Sequence, residues 1–431
     1  MTRILLALLA VLAFGGYTKC CAQKVDTTFY EVMKNAIGNH SSDAAIDGYN
    51  RLLSERNLGN WPFESVRQSL QDNEIVIETV CLPDESGQIE YYVFTLKKGY
   101  DSPRIYHLFK ESRLDNEMAK GESLYTETTI AKLFLKPLQK ELEGVRRIFF
   151  TPAGKLHQFA IEYCNAGDGQ MLAEKYGFYR LTSSAVLTQR GNQRKPYTSY
   201  SIFGGIDFDK LPDFEERYQG GATKCRYGYL QDSYEAAIDI HQYLTGKGLH
   251  GKLYANESAT ETAMKQLSGQ NVPLFFIETH GICTSCKENN AYPNALMLAG
   301  SSYALEGGII PKGYEDGLMT TGEIAKLNLA NVDLAVISAC KSALGEIDDK
   351  GAGGLMRAFK IAGVKSLVMT TDDVVDYVSG EVWKVFFRNL VDGKSKREVL
   401  LDAVKHVRNI HDGFYRAPKY WTPFILIDGL D

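Results

Sequence analysis

No long apolar run, excess of positive charge or internal repeat occurs in this sequence beyond its first residues. Because a transmembrane helix needs about 20 apolar residues, the chain after residue 22 is expected to be soluble. Lys and Arg number 48 against 53 Asp and Glu, which excludes the basic field that holds nucleic acid. With 431 residues, 44% of them hydrophobic and 23% charged, the chain can fold as one large or two modest domains.

The amino terminus has the pattern of a signal peptide. One Arg precedes a short apolar segment, and small residues stand at Cys20 and Ala22, so residues 1–22 are predicted to be removed. This predicts an exported protein, either periplasmic or extracellular. The alternative is a lipid on Cys20 or Cys21, which would anchor the protein to the outer membrane and is the one route to membrane association.

Cysteines are few, and export would place the six that follow residue 22 in an oxidising compartment. Cys283 and Cys286 have a spacing that suits a redox pair or half of a zinc site. No second half with matching spacing appears, so neither a metal nor another cofactor is expected. We predict a local disulfide between Cys283 and Cys286.

Residues 23–143 are predicted to form a small α+β region. Apolar residues recur at helical spacing between residues 27 and 70, and two strand-like runs at 74–81 and 90–97 flank a turn at 83–87. A helix is expected over 128–142. The remaining residues, 144–431, are predicted to form a second, larger domain.

Six apolar runs recur in the larger domain, most of them separated by helical patterns. This alternation is typical of an α/β fold with a mostly parallel sheet of about six strands and helices on both faces. The runs cover residues 147–152, 200–205, 274–280, 334–340, 366–371 and 423–428.

One polar and glycine-rich stretch, residues 211–228, interrupts this pattern. It carries the basic residues Arg217, Lys224 and Arg226 and is predicted to be an exposed loop. Exposed loops are the preferred sites of proteolytic cleavage.

His280 and Cys340 each close one of the apolar runs, and sixty residues separate them along the chain. That gap has room for one crossover, so two parallel neighbouring strands can present both side chains at the same edge of the sheet. The carboxyl ends of strands in open α/β sheets are where ligands bind.

These two side chains suit nucleophilic catalysis. A thiol attacks carbonyl carbons as its thiolate, which His280 can generate and the charge of Lys341 can favour. The backbone N–H groups of Gly281 and Cys340 are candidates for an oxyanion hole. A cysteine at a strand end is more often a buried small hydrophobic residue, and the residues alone leave that alternative open.

Longer segments around both residues resemble the CHAT family, caspase-like peptidases related to separase. Residues 315–343 resemble the segment that leads to the family's catalytic Cys, and residues 144–160 resemble its strand and P-x-G-x-L-H turn. Downstream, residues 357–369 and 420–429 resemble the family's helix-strand pair and closing strand. The resemblance extends over residues 74–431.

The resemblance implies a caspase-hemoglobinase type α/β/α sandwich with a dyad of His280 as base and Cys340 as nucleophile. In relatives, an acid after the strand that follows the catalytic Cys lines the primary pocket, which implies Asp376, with Asp373 nearby, as substrate-binding residues selecting Arg or Lys. The alternative is that these acids only begin a helix. The chain departs from the family by having no Trp near position 372 and by having Glu278 in place of a small residue. Because Glu278 shares a strand face with His280, it is a candidate to orient the imidazole.

The sequence as a whole predicts an exported cysteine endopeptidase that cleaves protein or peptide substrates after Arg or Lys. The basic loop is predicted to be a self-cleavage site. Three alternatives remain: a catalytically silent binding module, another acyl-transfer enzyme on the same dyad, and a thiol oxidoreductase that uses Cys283 and Cys286.

Overall fold

A computed structural model describes residues 27–56, 62–167, 169–191, 196–217, 227–282, 294–306, 308–345, 347–348 and 351–430. The predicted signal segment, Cys20, Cys21, Lys224, Arg226, Cys283 and Cys286 therefore lie outside the described residues. The described chain divides into two compact units, the first containing residues up to His157 and Ile161–Arg190, the second containing Gln158–Ala160 and most residues after 190. Among the described residues, no helix combines the length and the apolar character needed to cross a bilayer.

The first unit begins with helices and continues with strands, as its sequence pattern predicts. Its helices are α1 Thr27–Asn39, α2 Ser42–Arg56, α3 Phe63–Ser69, α4 Glu111–Met118, α5 Ser123–Thr126, α6 Thr129–Leu135 and α7 Leu172–Lys175. Its strands are β1 Glu74–Pro83, β2 Ile89–Leu96, β3 Arg104–Lys110, β4 Arg147–Thr151, β5 Asn165–Gly167, β6 Gln170–Met171 and β7 Gly177–Arg180. Short 3₁₀ turns occur at Lys136–Leu138, Gly154–His157, Ile161–Tyr163 and Ser184–Gln189.

The predicted hairpin forms from β1 and β2, which pair antiparallel. The Asp84 carboxylate closes its turn by accepting hydrogen bonds from the backbone N–H groups of Ser86 and Gln88 at 2.8 and 2.9 Å. Gly87 supplies the positive φ of 82° that such a turn needs. Strand β3 pairs with β2, while β4 and then β7 extend the sheet in parallel from β1.

The elements after residue 190 alternate between strand and helix. The strands are β8 Ser199–Ile206, β9 His250–Asn256, β10 Leu274–Glu278, β11 Gly281–Ile282, β12 Ala295–Met297, β13 Leu318–Thr320, β14 Leu334–Ser338, β15 Ile347–Asp348, β16 Gly351–Ala352, β17 Ser366–Thr370 and β18 Phe424–Ile427. The helices are α8 Gln231–Gly246, α9 Glu261–Lys265, α10 Ser301–Leu305, α11 Thr321–Ile324, α12 Gly354–Ile361, α13 Asp376–Val391 and α14 Lys396–Asn409, with 3₁₀ turns at His411–Gly413 and Pro418–Tyr420.

The sheet of the second unit has the strand order β18-β17-β14-β10-β8-β9. All neighbouring pairs are parallel except β17 and β18, which are antiparallel. Strands β10 and β14 are buried along their full length, which explains why they read as continuous apolar runs rather than as alternating ones.

Adjacent residues of β10 show that helices cover both faces of this sheet. The ring of Phe275 lies 6.3 Å from that of Phe359 in α12. The next residue, Phe276, lies 6.0 Å from Trp383 and 5.1 Å from Phe387, both in α13. Because successive side chains of a strand point to opposite faces, α12 and α13 pack on opposite sides. The predicted α/β class with a mostly parallel sheet is confirmed.

Three local features differ from the sequence prediction. Strand β9 was not expected, because it is a half-exposed edge strand with a polar sequence. The run at 147–152 forms β4, which pairs within the first unit rather than with the strands of the second. The helix expected over 128–142 ends at Leu135, since Pro137 cannot continue an α-helix and a 3₁₀ turn follows.

Candidate active site

The register between β10 and β14 carries His280 and Cys340 to corresponding positions. Leu274 pairs with Leu334 and Glu278 with Ser338, an offset of sixty residues that equals the separation of His280 from Cys340. The Thr279 N–H continues the ladder by donating to the Ser338 carbonyl at 2.9 Å. Both reactive residues therefore follow the last paired residues at the carboxyl edge of the sheet.

Gly281 is in close contact with the backbone of the cysteine. A Cβ atom at this position would lie 2.9 Å from the Cys340 carbonyl oxygen and 3.4 Å from the Ala339 Cβ. A side chain here would push the two chain segments apart, so the close approach requires glycine. The two residues proposed from sequence for the oxyanion hole are thus adjacent in space.

The chain turns sharply after Cys340, where Lys341 adopts a positive φ of 54°. This turn is held to the end of β17: the Lys341 N–H donates to the Asp372 carbonyl at 3.2 Å, and the Ala343 N–H donates to the Thr370 carbonyl at 2.8 Å. The turn exposes part of the Cys340 side chain at the sheet edge.

The Cys340 thiol is held in its neutral form. Burial raises its pKa, and the nearby Asp373 carboxylate, which accepts a hydrogen bond from the thiol, raises it further. The backbone N–H of Val374 and the charge of Lys341 act in the opposite direction. The expected help from Lys341 is therefore present, but it is offset because the Lys341 ammonium pairs with Asp373 at 2.9 Å.

The His280 imidazole lies between two aromatic rings, Phe208 at 5.1 Å and Tyr227 at 5.3 Å. Its Nε2 is 2.8 Å from the Gly228 carbonyl oxygen. Since a carbonyl oxygen only accepts, Nε2 carries the proton. Burial lowers the pKa of His280, so the ring is neutral and its Nδ1 is the basic nitrogen.

The residue that orients the imidazole is therefore not Glu278. Glu278 is buried beneath the site and accepts a hydrogen bond from the Ser338 hydroxyl at 3.1 Å. The orienting group is the backbone carbonyl of Gly228, which no side-chain pattern could reveal. Only its position in the glycine-containing loop just before α8 marks it in the sequence.

The two acids predicted to bind substrate have different surroundings. Asp373 lies beside the thiol and remains largely exposed, with 66% of its side chain accessible. Asp376 instead accepts hydrogen bonds from the backbone N–H groups of Asp232 and Ser233, both at 3.0 Å, and thereby caps α8. The structure places Asp373 next to Cys340, and both oxygens of Asp376 accept hydrogen bonds from a neighbouring helix.

A further carboxylate, Asp207, was missed from sequence. It directly follows β8, the strand on the other side of β10, and its side chain is mostly buried. The carboxylate binds the guanidinium of Arg217 and also accepts the Asp209 N–H at 3.2 Å. Its position immediately after an apolar run is the signal that could have identified it.

Two other residues predicted from sequence, Arg217 and Cys340, have defined surroundings. Arg217 is described and bound to Asp207, and Cys340 carries a free thiol. Within the described ranges, no cluster of three or more His, Cys, Asp or Glu side chains could hold a metal ion.

Comparison with known proteins adds a family and a fold. The family model of the CHAT domain matches residues 126–428. No curated protein sequence matches the chain.

Solved structures of cysteine peptidases align with the chain at low identity. The separase–securin complex of Saccharomyces cerevisiae aligns at 9% identity with a TM-score of 0.53. The alignment covers 94% of this chain and 36% of the solved chain, so this chain spans about a third of the length of the solved chain. The arginine-specific cysteine proteinase gingipain R aligns at 12% identity with a TM-score of 0.43, and the alignment covers 70% of this chain and 67% of the solved chain. The complex of Porphyromonas gingivalis RgpB pro- and mature domains aligns at 12% identity with a TM-score of 0.40, and the alignment covers 70% of this chain and 68% of the solved chain. The separase match supports the α/β fold described above, with its mostly parallel sheet and helices on both faces.

The contact between Asp373 and the thiol leads to a testable prediction. Asp373→Asn removes a negative charge that raises the pKa of Cys340, so the pKa should fall. One pKa unit is a tenfold change in thiolate, and we expect alkylation of Cys340 by iodoacetamide at pH 7.5 to become about three- to tenfold faster. Mass spectrometry of the Cys340 peptide gives the rate. Asp402→Asn, an exposed acid paired with Lys394, is the control and should change nothing; an unchanged rate in Asp373→Asn would contradict the prediction.

Proposed function

The chain belongs to the CHAT domain family, and from this premise we propose that it is a cysteine endopeptidase with a dyad of His280 and Cys340. The observation that carries the proposal is the common register of β10 and β14, which brings an imidazole and a thiol to one strand edge. The caspase-hemoglobinase fold supports it, because loops at that edge can shape a crevice for substrate.

The proposed reaction uses the groups described above. Nδ1 of His280 takes the thiol proton, and the Cys340 thiolate attacks the scissile carbonyl carbon to form a C–S bond. The resulting oxyanion is stabilised by backbone N–H groups of Gly281 and Cys340. The C–N bond then breaks as His280 returns its proton to the leaving amine, and water, deprotonated by His280, hydrolyses the acyl-enzyme. The Gly228 carbonyl keeps the required tautomer throughout.

Cleavage after Arg or Lys is the specificity we propose. Asp207 supports it, since its carboxylate already binds the guanidinium of Arg217. Asp373 supports it as well: a basic substrate residue that pairs with this carboxylate removes one cause of the raised thiol pKa and so favours the thiolate. Asp207 joins Asp373 and Asp376 as a proposed pocket acid, and Asp376 also accepts two backbone hydrogen bonds from α8.

Export remains a proposal from sequence alone, with residues 1–22 removed or a lipid added at Cys20 or Cys21. The same holds for self-cleavage after Arg217, Lys224 or Arg226 and for the disulfide between Cys283 and Cys286. The proposed substrates are proteins or peptides, without nucleic acid and without a cofactor.

Substitution of either dyad residue tests the proposed reaction. Cys340→Ala and His280→Ala should each lower kcat/KM on Arg- and Lys-containing peptides by about 10⁴-fold or more, because the two side chains act as one unit. A positional peptide library read by mass spectrometry measures this, with Cys81→Ala as the matched control. Activity that survives Cys340→Ala would indicate a different thiol chemistry. No hydrolysis by the wild type, together with no labelling of Cys340 by an Arg or Lys chloromethyl ketone, would indicate a silent binding module.

Specificity can be tested at Asp207. Asp207→Asn weakens a charge-assisted hydrogen bond and should lower kcat/KM for Arg and Lys peptides by about ten- to a hundredfold, mainly through KM. Asp392→Asn, a surface acid paired with Lys247, is the control. Equal kcat/KM values in wild type and Asp207→Asn would remove Asp207 from the pocket.

Self-cleavage is tested by incubating purified wild type and Cys340→Ala side by side. The wild type should yield two fragments whose new termini lie between residues 217 and 227, and Cys340→Ala should stay intact until wild type is added. Amino-terminal sequencing identifies the cleaved bond. An intact wild type that still hydrolyses peptides would eliminate self-cleavage without affecting the peptidase proposal.

A further inference from the structure

Glu278 is a buried acid that the proposed reaction does not use. It is the last residue of β10, and only 2% of its surface is accessible. It lies on the same face as Phe276, which packs against α13, and the side chains of Ser379 and Trp383 from that helix lie beside it. Among the described residues, its Oε2 has no hydrogen bond partner. An acid in such a position needs a reason, because burial of a carboxyl group is costly.

A side-chain hydrogen bond of Glu278 joins the two strands that carry the dyad. The Ser338 hydroxyl donates to Glu278 Oε1 at 3.1 Å, and these two residues are the last pair of the parallel register. His280 follows Glu278 by two residues, and Cys340 follows Ser338 by two. The bond therefore ties β10 to β14 directly beneath the reactive side chains, where the regular ladder ends.

The surroundings keep this carboxyl protonated near neutral pH. Burial raises the pKa of Glu278 to about 8, and the negative charge of Asp376 on α13 acts in the same direction. Asp376 is in turn close to Asp232 on α8. On β14 the Ser338 hydroxyl contacts Glu278, and the titratable residue nearest to Ser338 along the chain is Cys340. Along its own chain the nearest titratable group is His280.

We infer that Glu278, in its protonated form, is a positioning residue: its hydrogen bond with Ser338 fixes the spacing of β10 and β14 and thereby the placement of His280 relative to Cys340. The inference rests on the proposed peptidase function for its kinetic readout. Ionisation makes Glu278 a stronger acceptor for Ser338, but it also puts a negative charge into an apolar site that faces the Asp376 carboxylate. Repulsion between the two carboxylates should displace the Glu278 side chain, so the dyad should lose alignment as the pH rises above about 8.

Two substitutions of similar size distinguish the effect of the Glu278–Ser338 hydrogen bond from the effect of Glu278 ionisation. Glu278→Gln keeps an oxygen that can accept from Ser338 but cannot ionise, whereas Glu278→Leu keeps the volume and loses the bond. At pH 7 we expect kcat for Glu278→Gln within about twofold of wild type, and kcat for Glu278→Leu about tenfold or more lower with little change in KM, since small misplacements of catalytic groups are costly. Ser338→Ala should reproduce the Glu278→Leu loss, and the double variant should add nothing further.

The pH profile is the readout that a merely structural role would not move. The ratio of wild-type to Glu278→Gln kcat/KM should stay near one below pH 7 and fall above about pH 8. Identical profiles, or wild-type kcat in Glu278→Leu, would overturn the inference. Thermal unfolding confirms that each variant is folded before its kinetics are compared.

Failure of the proposed function is distinguished by a measurement that needs no substrate. If the wild type hydrolyses no peptide, the alkylation rate of Cys340 by iodoacetamide is compared among the same variants. The inference is supported if the alkylation rate changes by about threefold or more in Glu278→Leu and Ser338→Ala but not in Glu278→Gln at pH 7. The reason is that the reactivity of a thiol depends on its surroundings, which the hydrogen bond between Glu278 and Ser338 would fix. Equal rates in all variants would overturn it.

Discussion

The backbone ladder between β10 and β14 is the constraint on which the site depends. Parallel strands side by side fix which residues correspond, and here the offset of sixty residues brings His280 and Cys340 to one edge. Gly281 allows the two chain ends to approach beyond the last ladder bond, since a Cβ atom would meet the Cys340 carbonyl oxygen. Apolar burial on both sheet faces, with Phe275 against α12 and Phe276 against α13, stabilises this pairing.

Burial also sets the charge state of the site at rest. It raises the pKa of the Cys340 thiol and lowers that of the His280 imidazole, so both are neutral and no thiolate–imidazolium pair is stored. Asp373 reinforces the neutral thiol by its charge. Under the proposed peptidase function, the nucleophile forms when substrate neutralises or displaces that carboxylate, which limits reaction with other electrophiles.

Features that follow from local pattern were predictable from the sequence. The apolar runs identified β10, β14 and β17, and the turn residues identified the hairpin of β1 and β2. Features set by contacts distant in sequence were not. The Gly228 carbonyl, fifty-two residues before His280, orients the imidazole through a backbone atom that any residue carries. Asp376 was predicted as a pocket acid, and the two N–H groups of α8 that donate to its carboxylate are revealed only by the tertiary structure.

The two members of the proposed dyad are held by parts of the molecule that differ in how easily they open. Cys340 follows an interior strand flanked by β10 and β17, whereas the ring of His280 takes its orientation from Gly228, in a connecting segment ahead of α8. Connecting segments open at lower free energy than interior strands. Heat or mild denaturant should therefore release the imidazole while the sheet is still intact, so that loss of the proposed activity and denaturation are separate events.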